Sequence, residues 1–182
     1  MWHLNNEYGC HLRECYCETC TAVFREWLQT RYETIETLND AWGASFWSQT
    51  YTDRQEIHLP NRTMTLYNPA HMLDYRRFMN ASLFALYRAE VAAIKETGAP
   101  QPVTTNFFWG SKAVDYFQWA REMDTVALDT YPDPSLGNMA WREAAFWHDL
   151  TRSQSQNKPY LVMEQATTRS IGGPLTSLSR RE

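Results

Sequence analysis

The sequence predicts an α/β fold of parallel strands and helices, and it favours a (β/α)8 TIM barrel over a doubly wound sheet. Strand-like and helix-like segments alternate over residues 102–164, an order typical of a parallel sheet with helices outside it. Polar residues follow several predicted strand ends, namely Glu7, Asn106, Asp129 and Glu164, where a barrel carries its catalytic side chains. A doubly wound sheet usually has a glycine-rich phosphate turn after a strand, and the sequence contains none.

Composition and charge argue against some classes of binding partner. Of the 182 residues, 43% are hydrophobic and 21% are charged, and the net charge is -4, which predicts one domain with a substantial core. The basic residues are scattered, which argues against a nucleic-acid partner. No apolar run approaches the roughly 20 residues that span a bilayer, and the first residues do not resemble a signal peptide. We therefore expect a cytoplasmic protein without a membrane or nucleic-acid partner.

The first half of the chain predicts one strand end and two long helices. The predicted elements are the tail of a strand at 2–5, a cysteine-rich loop at 10–20, a helix at about 21–41, an irregular insertion at about 44–69 and a helix at about 70–97. Gly43 and Gly98 are expected to end the two helices. Asn68 is a suitable N-cap for the second helix, and Pro69 is a suitable first residue.

The second half predicts a regular alternation. The predicted elements are strands at 102–107, 125–129 and 160–163 and helices at 112–122 and 138–153. Asn138 is expected to cap the last helix. The apolar run Leu161-Val162-Met163 indicates a buried strand that ends at Glu164.

Glu7 and Glu164 are the candidate catalytic residues. Two carboxylates that face one cleft are the minimum equipment for breaking a glycosidic bond. A carboxylate that follows an apolar strand needs a hydrogen-bond donor to stay ionised, and Tyr131 is the candidate donor for Glu164. Asn106, Phe107 and Trp109 end the strand between them and are expected to line the cleft or to pack in the barrel.

The four cysteines all lie between residues 10 and 20, which is unusual for a disulfide scaffold. The spacing Cys15-x-Cys17-x-x-Cys20 is typical of metal binding in a reducing compartment, and free thiols are the alternative. Structural zinc takes four ligands in a tetrahedron. The fourth ligand is Cys10 or His11 if it lies within this stretch.

Several motifs occur in one ordered series, which spans nearly the whole chain. They are Asn6-Glu7-Tyr8-Gly9, the cysteine cluster, Phe24-Arg25-x-Trp27-Leu28, Leu38-Asn39-x-Ala41-Trp42-Gly43, Phe46-Trp47-Ser48, Asp129-x-Tyr131-Pro132 and Met163-Glu164-Gln165. The series resembles the β-galactosidases of glycoside hydrolase family 42. The resemblance implies a (β/α)8 barrel that hydrolyses terminal β-D-galactosides with retention of configuration.

The resemblance also implies roles for individual residues. Glu7 matches the acid/base residue that ends the fourth strand, and Glu164 matches the nucleophile that ends the seventh. Asn6 matches the asparagine that hydrogen-bonds the sugar 2-hydroxyl, and Asn106, Trp109 and Tyr131 are further candidate substrate contacts. Residues 1–182 then belong to one catalytic domain, present as a partial barrel from the end of strand four to just past strand seven. We expect this piece to be inactive alone.

Zinc and subunit assembly are further implications of the resemblance. Some family members bind zinc through such a cysteine trio together with a cysteine further upstream, and family members often form trimers. The substrate is expected to be a small galactoside or an oligosaccharide.

One departure from the sequence pattern of the family leaves other functions open. The family commonly has a tryptophan eight residues after the nucleophile, where this sequence has Gly172. An arabinosidase or a fucosidase of the same barrel clan is therefore an alternative. A non-catalytic, zinc-stabilised binding module is the alternative from another class.

Overall fold

The computed structural model describes residues 1–10, 14–61, 63, 64, 66–108, 111–156 and 158–165. Three residues named above, His11, Trp109 and Gly172, lie outside this described part of the chain. The chain divides into two compact units. The first takes its residues from 1–8, 93–110 and 116–182, and the second from 9–92 and 111–115.

Ten helices and strands follow one another along the described chain. In order they are β1 (Trp2–His3), α1 (Glu18–Tyr32), α2 (Ile35–Trp42), α3 (Pro69–Glu96), β2 (Val103–Thr104), β3 (Asn106–Phe107), α4 (Tyr116–Ala120), β4 (Ala127–Thr130), α5 (Asn138–Gln154) and β5 (Leu161–Gln165). Single 3-10 turns occur at Phe46–Ser48, Arg54–Glu56 and Pro134–Leu136.

The strands of the first unit are parallel, as the sequence predicts. β1 pairs with β2, and β3, β4 and β5 pair in that order. The strand predicted at 102–107 is two short strands, because the chain changes its partner at Thr105: Val103 and Thr104 pair with β1, whereas Asn106 and Phe107 pair with β4. All of these pairings bring the carboxyl ends of the strands to the same edge of the sheet.

The core of the first unit surrounds β4. All four residues of this strand are buried, as expected for a parallel strand that is covered on both faces. Trp119 of α4 is fully buried, and the ring of Phe107 contacts it with the ring centroids 6.4 Å apart. β5 differs from its prediction, since Leu161 and Val162 are 36% and 40% exposed. The reason is that β4 is its one partner strand among the described residues.

Two helices of the first unit differ from their predictions. α4 is shorter than predicted, at Tyr116–Ala120. The predicted Asn138 cap is wrong, because Asn138 is the first helical residue and Gly137 occupies the N-cap position. Gly137 has a φ of 54°, which a glycine adopts without steric strain. The 3-10 turn before it therefore leads directly into α5.

In the second unit, the single helix predicted at about 21–41 is two helices. Glu33 adopts a left-handed φ of 55° and ends α1. The Thr34 side chain then accepts the N–H of Thr37 at 3.1 Å and starts α2, which is standard N-cap geometry. Gly43 ends α2 in the left-handed conformation, so the predicted stop at this residue is confirmed.

The start of α3 also follows its prediction. The Asn68 side-chain oxygen accepts the N–H groups of Ala70 at 2.9 Å and His71 at 3.3 Å, and Pro69 is the first helical residue. α1, α2 and α3 bury the core of this unit. Its largest fully buried side chains include Phe24, Leu28, Leu38, Ile57 and Tyr75. Among the helices that the structure describes, none has the length and apolar character needed to cross a membrane.

Candidate active site

The turn after β1 holds Glu7 in an unusual backbone conformation. Asn5 and Glu7 have positive φ angles of 47° and 50°, which cost about 1–2 kcal/mol for a residue with a side chain. The backbone N–H of Glu7 donates to the side-chain oxygen of Asn106 at 3.0 Å. A contact from the neighbouring part of the sheet therefore stabilises the turn that presents Glu7.

Asn106 lies at the centre of the site and is 1% exposed. Its side-chain oxygen Oδ1 contacts the Glu7 N–H and the Nε2 atom of His3 at 2.9 Å. Its amide nitrogen Nδ2 donates to Asn6 Oδ1 at 3.0 Å, and also to Asp129 Oδ2 at 2.7 Å and Glu164 Oε1 at 3.2 Å. The orientation of the amide is fixed chemically, because the Glu7 N–H can only donate and therefore faces the amide oxygen.

These contacts bear on the predicted role of Asn106. All five are with groups of the protein, so the amide holds other residues of the site in position. The contact with substrate that the sequence suggested for Asn106 stays a prediction.

Glu164 lies on β5 and is the pairing partner of Asp129 on β4. The hydroxyl of Tyr131 donates to Glu164 Oε2, so the donor expected from the sequence is present. Burial raises the pKa of the Tyr131 hydroxyl, and the hydrogen bond to Glu164 raises it further. Tyr131 is thus a neutral donor, and Asn106 and Tyr131 each contact one oxygen of the Glu164 carboxylate.

Asn6 belongs to the same network and is exposed. Its amide nitrogen donates to Glu7 Oε2 at 3.3 Å, and its oxygen accepts from Asn106. The side chain is therefore adjacent to Glu7 and accessible to a ligand, and its contact with a sugar hydroxyl stays a prediction.

A third carboxyl group, Asp129, joins the two glutamates. One carboxylate oxygen from each of Glu7, Asp129 and Glu164 lies within 4.8 Å of the other two. Asp129 is 3% exposed. Burial raises the pKa of Asp129 to about 7, and the negative charges of Glu164 and Glu7 act in the same direction. The sequence marked Asp129 as the end of a strand and as part of the Asp129-x-Tyr131-Pro132 motif, without a role in the site. Its spacing of two residues from Tyr131, which follows the end of β4, is the feature that could have identified it.

A cleft of about 280 Å³ lies beside the carboxyl groups of Glu7 and Asp129. Glu7, Asp129 and Tyr131 line it, and α5 contributes Glu143 and Trp147.

Two residues that line the cleft, Trp147 and Phe108, were not predicted from the sequence. For Phe107 the sequence left cleft lining and barrel packing open, and the structure shows packing, because this ring is 4% exposed and contacts Tyr116 and Trp119. Consecutive strand residues point to opposite faces, so Phe108 faces the cleft where Phe107 does not.

The cysteine cluster lies in the second unit. The Sγ atoms of Cys15, Cys17 and Cys20 lie within 4.8 Å of one another, and those of Cys15 and Cys17 are 3.5 Å apart. The fully buried Tyr75 supports this loop, because its hydroxyl accepts the Cys15 N–H at 2.8 Å and donates to the Cys15 carbonyl at 2.7 Å. Cys10 does not belong to the group of three.

The three thiols have different environments. Cys17 is the N-cap of α1 and accepts the backbone N–H of Cys20 at 3.4 Å. This hydrogen bond lowers the pKa of the Cys17 thiol to about 7, whereas burial raises the pKa of Cys20 to about 12. None of the four cysteines, all of which the structure describes, is in a disulfide. Three thiols at this separation could hold a metal ion.

Comparison with known proteins gives the family of this chain. The family model for glycoside hydrolase family 42, β-galactosidase, matches residues 1–179. A β-galactosidase of Heyndrickxia coagulans is 49% identical over 166 residues, which is 91% of this chain and 24% of the relative. A β-galactosidase of Geobacillus kaustophilus is 45% identical over 168 residues, which is 92% of this chain and 25% of the relative. The chain thus spans about a quarter of the length of these relatives.

Solved structures give the same result. The chain superimposes on the β-galactosidase of Bacillus circulans sp. alkalophilus with a TM-score of 0.79 and 40% identity, covering 91% of this chain and 24% of that one. For the β-galactosidase of the psychrophilic Marinomonas ef1 the TM-score is 0.81 and the identity is 34%, covering 90% and 27%. The predicted fold class is therefore confirmed, with this chain forming part of the barrel. The chain belongs to glycoside hydrolase family 42, the family of β-galactosidases.

Proposed function

We propose that these residues act within a retaining β-galactosidase in which Glu164 is the nucleophile and Glu7 is the acid/base. The observation that carries the proposal is the approach of the two carboxylates, which have oxygen atoms within 4.8 Å of each other. Retaining glycosidases hold their two carboxyl groups roughly 5–5.5 Å apart, whereas inverting enzymes need roughly 6.5–9.5 Å to admit a water molecule. The short separation supports double displacement.

In the first step Glu164 attacks the anomeric carbon, and Glu7 gives its proton to the leaving oxygen. The glycosidic bond breaks as the bond from the sugar to Glu164 forms. In the second step Glu7 takes a proton from water, and the resulting hydroxide displaces Glu164. Each carboxyl group returns to its starting state, and the anomeric configuration is retained.

The surrounding contacts support these roles. Tyr131 and Asn106 each donate to one oxygen of Glu164, which favours the ionised form that a nucleophile needs and holds its plane. The amide of Asn6 lies beside Glu7, where it could bind the sugar hydroxyl next to the reacting carbon. Trp147 gives the cleft an aromatic side chain, which suits the apolar face of a sugar ring.

The substrate that we propose is a terminal β-D-galactoside. The test is a panel of nitrophenyl glycosides offered to a full-length enzyme that contains these residues. The β-galactoside should give the highest kcat/KM. Preference for the α-L-arabinoside or the β-D-fucoside would instead favour another glycosidase of the clan, and no hydrolysis of any member would favour a binding module. A cytoplasmic location, a trimeric assembly and the lack of nucleic-acid or membrane partners stay predictions.

Zinc is the metal that we propose for the cysteine cluster. Cys15, Cys17 and Cys20 supply three thiols at a separation that suits one tetrahedral ion. The lowered pKa of Cys17 favours the thiolate that binds metal. Cys10, the other described cysteine, lies outside this group of three, and the identity of the fourth ligand stays a prediction. A bound zinc would stabilise the loop between Cys15 and α1, and the glutamate pair carries the chemistry without it.

A further inference from the structure

Asp129 is a buried carboxyl group to which double displacement assigns no role. Its Oδ2 atom accepts the Asn106 amide N–H at 2.7 Å. Its Oδ1 atom is buried, and no described residue provides it with a hydrogen-bond partner. A buried carboxylate oxygen without a donor is unfavourable while the group is charged. Protonation at Oδ1 would convert this oxygen from an unpartnered acceptor into a donor.

The charges around Asp129 favour the same conclusion. Glu7 after β1 and Glu164 on β5 each have an oxygen within 4.8 Å of it. The groups facing it from Tyr131 and Asn106 are uncharged donors, and α5 contributes a further carboxylate to the cleft, Glu143. Among the described residues that line the cleft there is no lysine or arginine. Carboxylates this close disfavour one another's ionisation, and the most buried one holds a proton most readily.

We propose that Asp129 is a positioning residue that stays protonated throughout the reaction and donates its O–H to Glu7. The inference rests on the proposed function, in which Glu7 is the acid/base. As Glu7 gives its proton to the leaving oxygen it becomes an anion, and a hydrogen bond to an anion is stronger than one to a neutral acid. Asp129 therefore stabilises the transition state more than the ground state.

Proton balance is simple in this arrangement. Glu7 loses one proton to the leaving group in the first step and recovers one from water in the second. The proton of Asp129 remains on Asp129 in both steps. Burial and the neighbouring negative charges of Glu164 and Glu7 raise the pKa of Asp129 to about 7. Below about pH 7 the donor is present, and it is lost as the pH rises through this value.

The first experiment compares Asp129→Asn with Asp129→Ala in a full-length enzyme that contains these residues. An asparagine amide is neutral, donates an N–H and has nearly the same shape. We expect its kcat to stay within about threefold of wild type near pH 6 and to extend to higher pH. Alanine removes the donor, so kcat for an alkyl galactoside should fall on the order of ten- to a hundredfold, and kcat for a nitrophenyl galactoside should fall less. Equal losses in the two variants would mean that a negative charge is needed, and they would overturn the proposal.

The second experiment measures the proton without activity. Infrared difference spectra between wild type and Asp129→Asn should contain the carbonyl band of a protonated carboxylic acid at about pH 6, and the band should vanish by about pH 9. Absence of this band at about pH 6 overturns the proposal even if alanine fails to fold. A wild type that hydrolyses no nitrophenyl glycoside would refute the proposed function instead, whereas the infrared titration still decides the protonation of Asp129.

Discussion

The side-chain oxygen of Asn106 accepts the backbone N–H of Glu7 at 3.0 Å, so a residue of β3 fixes the turn after β1. The same side chain also contacts Asp129 and Glu164 through its amide nitrogen. One buried amide therefore sets the relative positions of three carboxyl groups. Catalysis is sensitive to misplacements of about 1 Å, so this amide should matter for rate as well as for stability.

Asn106→Ala tests that role. Each buried partner left without a hydrogen bond costs about 1–3 kcal/mol, and several are left at once. We expect the free energy of unfolding to fall by about 2–4 kcal/mol and kcat to fall by about a hundredfold, measured by denaturant titration and steady-state kinetics. Asn138→Ala is the matched control, because Asn138 is exposed and caps no helix, and it should change neither quantity. An Asn106→Ala enzyme with unchanged kcat would contradict the positioning role.

Glu164→Gly should abolish turnover, because the carboxylate that attacks the sugar is removed. Added azide can enter the vacated space and restore partial activity, and the product should be the α-galactosyl azide. The product's configuration is read by NMR. Formation of the β-azide would mean that the roles of Glu7 and Glu164 are exchanged. Glu143→Gly is the matched control, since Glu143 also lines the cleft, and azide should neither accelerate this variant nor appear in its product.

Glu7→Gln should slow hydrolysis most for substrates whose leaving group needs a proton in order to depart. General acid catalysis contributes roughly 10²–10⁴-fold, so we expect a loss of this order for alkyl galactosides. Aryl galactosides with activated leaving groups should lose much less in the first step. The basic limb of the pH profile should flatten, because the glutamine has no proton to lose. Equal losses on both classes of substrate would exclude Glu7 as the acid.

The cysteine cluster predicts about one zinc ion per chain, measured by elemental analysis of the purified full-length enzyme. Cys17→Ser should remove the metal and lower the melting temperature while leaving the pH profile unchanged, because a structural metal acts through folding. Cys10→Ser is the control. Cys10 lies outside the group of three thiols, so this variant should keep its zinc. A metal-free wild type with the same melting temperature as Cys17→Ser would refute the zinc proposal.

The features that could be predicted from the sequence are those fixed by local interactions or by the pairing of neighbouring strands. The proximity of Glu7 and Glu164 could be predicted from the sequence, because parallel strands bring their carboxyl ends to one edge of a sheet. The start of α3 followed too, since Asn68 and Pro69 act on adjacent backbone groups. The hydrogen bond from Tyr131 to Glu164 required only that two neighbouring strands lie in register.

The remaining features depended on three-dimensional proximity. Apolar periodicity continues across Glu33 and Thr34, so the break between α1 and α2 could not be predicted from spacing, although Thr34 is a possible cap. The raised pKa of Asp129 comes from its burial between two glutamates that are distant in sequence. Trp147 reaches the cleft from α5, and its role depends on how that helix packs against β4.

The last prediction concerns these 182 residues expressed alone. They span about a quarter of the length of the relatives, and a complete (β/α)8 domain needs about 250 residues. β5 exposes Leu161 and Val162, and Trp2 of β1 is 48% exposed. Exposed apolar strand edges promote association between chains. We therefore expect insoluble or oligomeric material without measurable hydrolysis of a nitrophenyl β-galactoside.

Size-exclusion chromatography and the nitrophenyl assay measure these two properties separately. Val162→Lys adds a charge to the exposed strand β5, where charges oppose edge-to-edge pairing. This variant should be more soluble and still inactive, because the cleft walls that hold Glu7 and Glu164 at their catalytic separation are not restored by a charge on the edge. Met64→Lys changes an exposed residue away from the strands and should improve solubility less. A monomer of the unmodified residues with near-native turnover would show that the piece is catalytically complete and would contradict this prediction.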